Sequence, residues 1–133
     1  MYERDIKRKI VALAKKFPVI AVLGPRQSGK TTLVKETFQD YAYTNLENLN
    51  QRELAQTDPS YFLKSYQKNG GLIIDEVQHA PALFSYLQLE VDAKEGEGRF
   101  ILTGSQNFLM NEKITQTLAG RVAIFDSAPL ITK

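Results

Sequence analysis

Eight residues, GPRQSGKT from Gly24 to Thr31, place a lysine and a hydroxyl at the end of a glycine-bearing turn. Their spacing is GxxxxGK[ST], with an apolar run before it (Pro18 to Leu23) and a helix-like stretch after it (Thr32 to Phe38). A strand entering such a turn and a helix leaving it is the arrangement that wraps a phosphate chain. Gly24 and Gly29 let the backbone curl with no Cβ in the way. The N–H groups of about Gln27 to Thr32 then face anionic oxygens at a helix start, where the dipole favours negative charge. The expected nucleotide contacts are therefore Gly24, Pro25, Arg26, Gln27, Ser28, Gly29, Lys30, Thr31 and Thr32. Lys30 is expected on the β and γ phosphates and the Thr31 hydroxyl on Mg²⁺. Arg26 either adds positive charge there or faces solvent.

A loop of this kind needs a second element, and LIIDE (Leu72 to Glu76) supplies it as an apolar run ending in two acids. Asp75 is expected to hold Mg²⁺, through water, and Glu76 to orient and deprotonate an attacking water. One acid binds the cation; a second suggests hydrolysis. A further strand-like run ends in Thr103, Gly104 and Ser105. If it lies between the loop strand and the Asp75 strand, its polar end arrives beside the γ-phosphate, because ligands collect at the carboxyl ends of parallel strands. Ser105 or Thr103 would then sense that phosphate or position the water, while Ser105 and Asn107 are also good N-cap types for the helix that follows. Arg121 begins a strand, at the side of a parallel sheet opposite the strand ends that hold the nucleotide, so it is expected to reach only a neighbouring subunit's phosphates, as an arginine finger, or to form a surface ion pair. His79 is a candidate to orient Glu76 or bind a partner; with no second His and no Cys it completes no zinc site.

The elements that must position these residues follow from apolar periodicity and Gly/Pro punctuation. Ile6, Ile10, Leu13 and Phe17 recur at helical spacing, which predicts a helix over Glu3 to Lys16, closed by Pro18. Val19 to Leu23 is apolar throughout, as in a central parallel strand buried on both faces. Tyr41 to Leu46 is a second strand of mixed polarity, suited to a sheet edge. Two short helices follow, Asn50 to Gln56 and Pro59 to Gln67, with Asp58 capping the latter. Leu72 to Ile74 is a third strand, and Pro81 opens a helix carrying Leu83, Phe84, Leu87 and Val91, closed by a loop at Lys94 to Gly98. Arg99 to Leu102 is a fourth strand, Asn107 to Ala119 a helix stopped by Gly120, and Val122 to Phe125 a fifth strand. Strands alternating with helices from end to end predict an α/β fold, a parallel sheet with helices on both faces.

Composition sets bounds on partners. The 133 residues are the size of one domain, with an ordinary 43% hydrophobic and 24% charged content. Net charge is +2, yet six cations against two acids concentrate +4 in the first sixteen residues. That is the pattern of a solvated helix face, or of a contact for nucleic acid or an acidic partner. Cysteine is absent, which fits the cytosol and removes disulfide and thiolate chemistry. No apolar run is long enough to span a bilayer or to serve as a signal peptide core.

With GPRQSGKTTL, IIDEVQHAP, ILTGSQNF and LAGRVAIF in view, the chain resembles a prokaryotic family of AAA-type P-loop ATPases related to the archaeal ATPase and origin-recognition groups. The resemblance implies a three-layer α/β/α core with strand order 5-1-4-3-2, ATP or ADP with Mg²⁺ as ligands, and roles for Lys30, Thr31, Asp75, Glu76, Ser105 and Arg121. Gln27 stands where the usual AAA+ loop has Gly, so the likeness is to a subgroup. Family members continue beyond the fifth strand, and the chain is expected to be an ATPase core from a longer protein, without its helical lid. The expected activity is Mg²⁺-dependent ATP hydrolysis coupled to conformational change or assembly. The alternative is a nucleotide-sensing switch or nucleic-acid-associated scaffold with little turnover. A kinase would need a basic lid stretch. A GTPase would carry Gly where Gln78 stands and an NKxD sequence; neither is present.

Overall fold

A computed structural model describes residues 2–25, 29–66, 70–93, 99–105 and 108–126. Five strands form one sheet: β1 (Val19–Leu23), β2 (Ala42–Asn45), β3 (Leu72–Asp75), β4 (Phe100–Gly104) and β5 (Val122–Asp126). All pairings are parallel and the spatial order is β2-β3-β4-β1-β5, which read from the other edge is the expected 5-1-4-3-2. β1 lies between β4 and β5, and all five of its residues are buried. The apolar strands take the interior and the mixed β2 takes an edge, because an edge strand has one solvated side for its polar groups.

Helices cover both faces, as the alternation of elements requires. α1 (Tyr2–Ala14) and α2 (Lys30–Thr37) pack Ile6, Ile10, Leu33, Val34 and Phe38 against Ile20, Val22, Ile73 and Ile101. On the other face lie α3 (Leu49–Thr57), α4 (Pro59–Lys64), α5 (Leu83–Ala93) and α6 (Phe108–Thr117). Their Phe62, Leu63, Phe84, Leu87 and Ile114 pack against Ala21, Leu23, Leu72, Ile74 and Leu102. Alternate residues of each strand thus feed opposite layers, and each fully buried Leu, Ile or Phe contributes about 1.5–3 kcal/mol.

Local chemistry sets the element ends. Asp58 accepts a bond from the Tyr61 N–H at 3.2 Å with Pro59 in the first helical position, so α4 starts where expected. The Asn48 side chain caps α3 in the same way, accepting from Gln51 N–H at 3.0 Å, a start signal missed in the sequence. β4 is two residues longer than its apolar run, because Thr103 and Gly104 pair with Val22 and Leu23 of β1. The loop expected at Lys94 to Gly98 and the Asn107 cap lie outside the described residues.

Candidate nucleotide site

β1 leads directly into the glycine-bearing turn, where the Gly24 N–H donates to the Gly104 carbonyl at 3.1 Å and so ties the turn to the end of β4. Arg26, Gln27 and Ser28 lie outside the described residues. Gly29 sits at φ 83°, a conformation that suits glycine, and α2 starts at the next residue, two before the apolar pattern suggested. The helix's first backbone bond runs from Leu33 N–H to the Gly29 carbonyl at 2.9 Å, so the amides of Lys30, Thr31 and Thr32 are not used by the helix itself. Lys30 is only 3% exposed, and its Nζ donates to the Pro25 carbonyl at 3.1 Å. A buried ammonium beside amides that the helix leaves unused is an arrangement that attracts anions.

Asp75, at the end of β3 and 2% exposed, is where four elements meet. The Thr31 hydroxyl approaches its two carboxylate oxygens at 3.1 and 3.0 Å, the Tyr43 hydroxyl donates to Oδ2 at 2.6 Å, and the Thr103 hydroxyl donates to Oδ1. Thr103 Oγ1 in turn accepts the Glu76 N–H at 3.2 Å. Burial, and then the hydrogen bond to Asp75, push the Tyr43 phenol above its ordinary value, so it remains a protonated donor. Lys35 Nζ lies 4.1 Å from the centre of the Tyr43 ring.

The set suits Mg²⁺: a hydroxyl and a carboxylate converge, and no group of three His, Cys, Asp or Glu forms a metal cage among the described residues. Mg²⁺ is commonly held by one or two protein oxygens, with waters and substrate phosphates completing its shell.

A family model described as an AAA domain matches residues 16–133. The chain belongs to the AAA domain family. It is 29% identical over 131 residues to an uncharacterized protein of Mycobacterium tuberculosis and to one of Mycobacterium bovis; the match covers 98% of the chain and 29% of the length of each relative. Solved structures share the fold at lower identity. The P-loop NTPase domain of a sigma-54 transport activator from E. coli has a TM-score of 0.51 at 13% identity, covering 93% of this chain and 94% of that one. Thermotoga maritima RuvB, as an A156S mutant, has 0.55 at 20% over 92% and 45% of the chains. Drosophila ORC bound to AT-rich DNA and Cdc6 has 0.51 at 10% over 96% and 54%.

In this AAA domain Glu76 follows Asp75 with φ 57°, a left-handed conformation that costs a non-glycine residue about 1–2 kcal/mol. Its side chain is nearly buried, and Oε1 accepts a bond from Gln78 Nε2 at 2.8 Å. Gln78 Oε1 accepts the Ser105 N–H at 3.3 Å. Of the two roles open to His79, the orienting one finds no support: its Nε2 has no hydrogen-bond partner among the described residues, and the side chain bonded to Glu76 is Gln78. The Thr103 hydroxyl is buried between Asp75 and the Glu76 amide, beside the residues of the candidate site.

Gly24, Pro25, Gly29, Lys30, Asp75, Glu76 and Ser105 are thus brought to one end of the sheet. Arg121 precedes β5 at the other end, where it clasps Asp92 through Nε (2.7 Å) and Nη2 (2.9 Å) and donates to the Ala119 carbonyl at 2.8 Å. The bond from Arg121 holds the exposed Asp92 carboxyl below its ordinary range. The sequence missed Tyr43 and Gln78. Tyr43 carried a faint signal, an aromatic hydroxyl near the end of an edge strand; Gln78 carried none beyond its place in DEVQ.

Proposed function

We propose that this AAA domain binds ATP with Mg²⁺ and hydrolyses it to ADP and phosphate. The observation that carries the reading is the convergence of the Thr31 hydroxyl on Asp75 at 3.0 Å beside the buried Lys30 and the start of α2. Lys30 would exchange the Pro25 carbonyl for phosphate oxygens, and the amides of the loop and of Lys30 to Thr32 would hold the remaining charge. Thr31 and Asp75 would hold Mg²⁺, which when bound neutralises charge on the β and γ phosphates. Glu76 would accept a proton from water as the water oxygen bonds to γ-phosphorus; the bond to the β–γ bridging oxygen breaks and ADP leaves with that electron pair. Ser105 follows the end of β4, with its N–H bonded to the Gln78 side chain that also holds Glu76, which suits it to the γ-phosphate side of the site. The match to 29% of its relatives' length supports reading the domain as the core of a longer protein, in which nucleotide state drives conformational change or assembly.

Two substitutions test this. Lys30→Ala is expected to abolish measurable ATP binding in calorimetry. Glu76→Gln should keep ATP affinity and lose about 100-fold or more in turnover, the usual contribution of a general base. Turnover unchanged by Glu76→Gln refutes the base. A wild-type chain that holds ATP without turnover is instead the nucleotide-sensing switch.

A further inference from the structure

We propose that Gln78 is a positioning residue that sets the Glu76 carboxylate and couples it to the end of β4. This rests on the reading of Glu76 as the base. A carboxylate acting on a water must present one oxygen to it in a fixed direction, because misplacement by an ångström is costly in rate. Here Oε1 is held by the Gln78 amide at 2.8 Å, which fixes the direction in which Oε2 points for the water. The same amide group reaches, through its oxygen, the Ser105 N–H at 3.3 Å. One planar group therefore spans the ends of β3 and β4, so any displacement of Ser105 is passed to Glu76.

The backbone has made room for this bridge. A Cβ built on Gly104 would lie 2.7 Å from Gln78 Oε1, whereas its next contacts, Met110 Cε and Val77 Cγ1, are at an ordinary 3.5 Å. Gly104 is in a β-strand, so its lack of a side chain serves Gln78 and not a special backbone angle. The atom in the way is the far end of a flexible side chain. Gly104→Ala should therefore displace the Gln78 amide and leave the fold in place.

The test combines these variants with ATP turnover and with the amide NMR spectrum of the free chain. Gln78→Ala and Gln78→Met are each expected to lower kcat about tenfold with KM for ATP within about twofold, since methionine fills the space but cannot donate. Gly104→Ala should lose a similar factor, and adding it to Gln78→Ala should cost nothing further, because the truncated side chain no longer meets the methyl. In the spectrum, Glu76→Ala should shift the Ser105 amide, and that shift should vanish in the Gln78→Ala background. Full activity in Gln78→Met, or losses that multiply in the double variant, overturns the proposal. So does a Ser105 shift that persists without Gln78. A wild-type chain without turnover defeats the assignment of Glu76 as base, and the Ser105 amide then decides the bridge by itself.

Discussion

Tyr43 shows how much one hydroxyl can settle at the proposed cation site. Asp75 receives hydroxyls from Thr31, Tyr43 and Thr103, and a Mg²⁺ ion held by Thr31 and Asp75 would leave the other two to hold the carboxylate still. Tyr43→Phe removes one of them at a cost of about 1 kcal/mol in stability. The expected signature is a several-fold loss of ATP affinity with Mg²⁺ present and none with EDTA; equal losses in both would place Tyr43 elsewhere in the mechanism. The phenol also carries a pH dependence. Its folded value is raised above the ordinary 10.0, so the folded state binds the proton more tightly, and its contribution is complete below about pH 10 and is lost as pH rises beyond it. Thermal melts from pH 9 upward should therefore fall less steeply in Tyr43→Phe than in the wild type.

Among the elements, β4 decides most. Lying between β1 and β3, it delivers Thr103 to Asp75 and to the Glu76 amide, and ties the glycine-bearing turn at Gly24 through the Gly104 carbonyl. Thr103→Val keeps the shape and deletes the hydroxyl, leaving a buried carboxylate and a backbone amide each short of a partner. Urea unfolding should show a loss of about 1–3 kcal/mol, with weaker Mg²⁺-ATP binding. α1 is the contrasting case, because it packs on the sheet far from the chemistry. Ile10 is fully buried, and Ile10→Ala should cost about 2–5 kcal/mol in the same experiment while ATP affinity measured on the folded protein stays unchanged. The end of β4 was hard to read because Thr103 and Gly104 resemble a turn locally and become strand by pairing with β1.

Across the whole molecule, charge and site lie apart. The basic excess sits on α1 and the two lysines just after it, Lys15 and Lys16; Ile6 and Ile10 of α1 face the sheet and Lys7 pairs with Glu36 at 2.9 Å. No helix among the described residues is long and apolar enough to cross a membrane. Arg121 is at the sheet end opposite the loop and can meet a nucleotide only on a neighbouring subunit, after leaving Asp92. If it does so, turnover per molecule should rise with protein concentration and Arg121→Ala should abolish the rise; flat turnover would leave Arg121 as an ion pair. By itself the sequence determined the elements and singled out the residues proposed to hold the nucleotide. Val19–Leu23 is strand because it is apolar end to end, and the Gly, Lys and Thr of the turn and the two acids after Ile74 declare phosphate and cation chemistry by type and spacing. Only the tertiary structure decided that Tyr43 and Thr103 meet at Asp75, and that Gln78 joins Glu76 to Ser105. Those contacts depend on strand order and on a left-handed turn at Glu76, and both are set by non-local pairing and packing that leave no periodic trace along the chain.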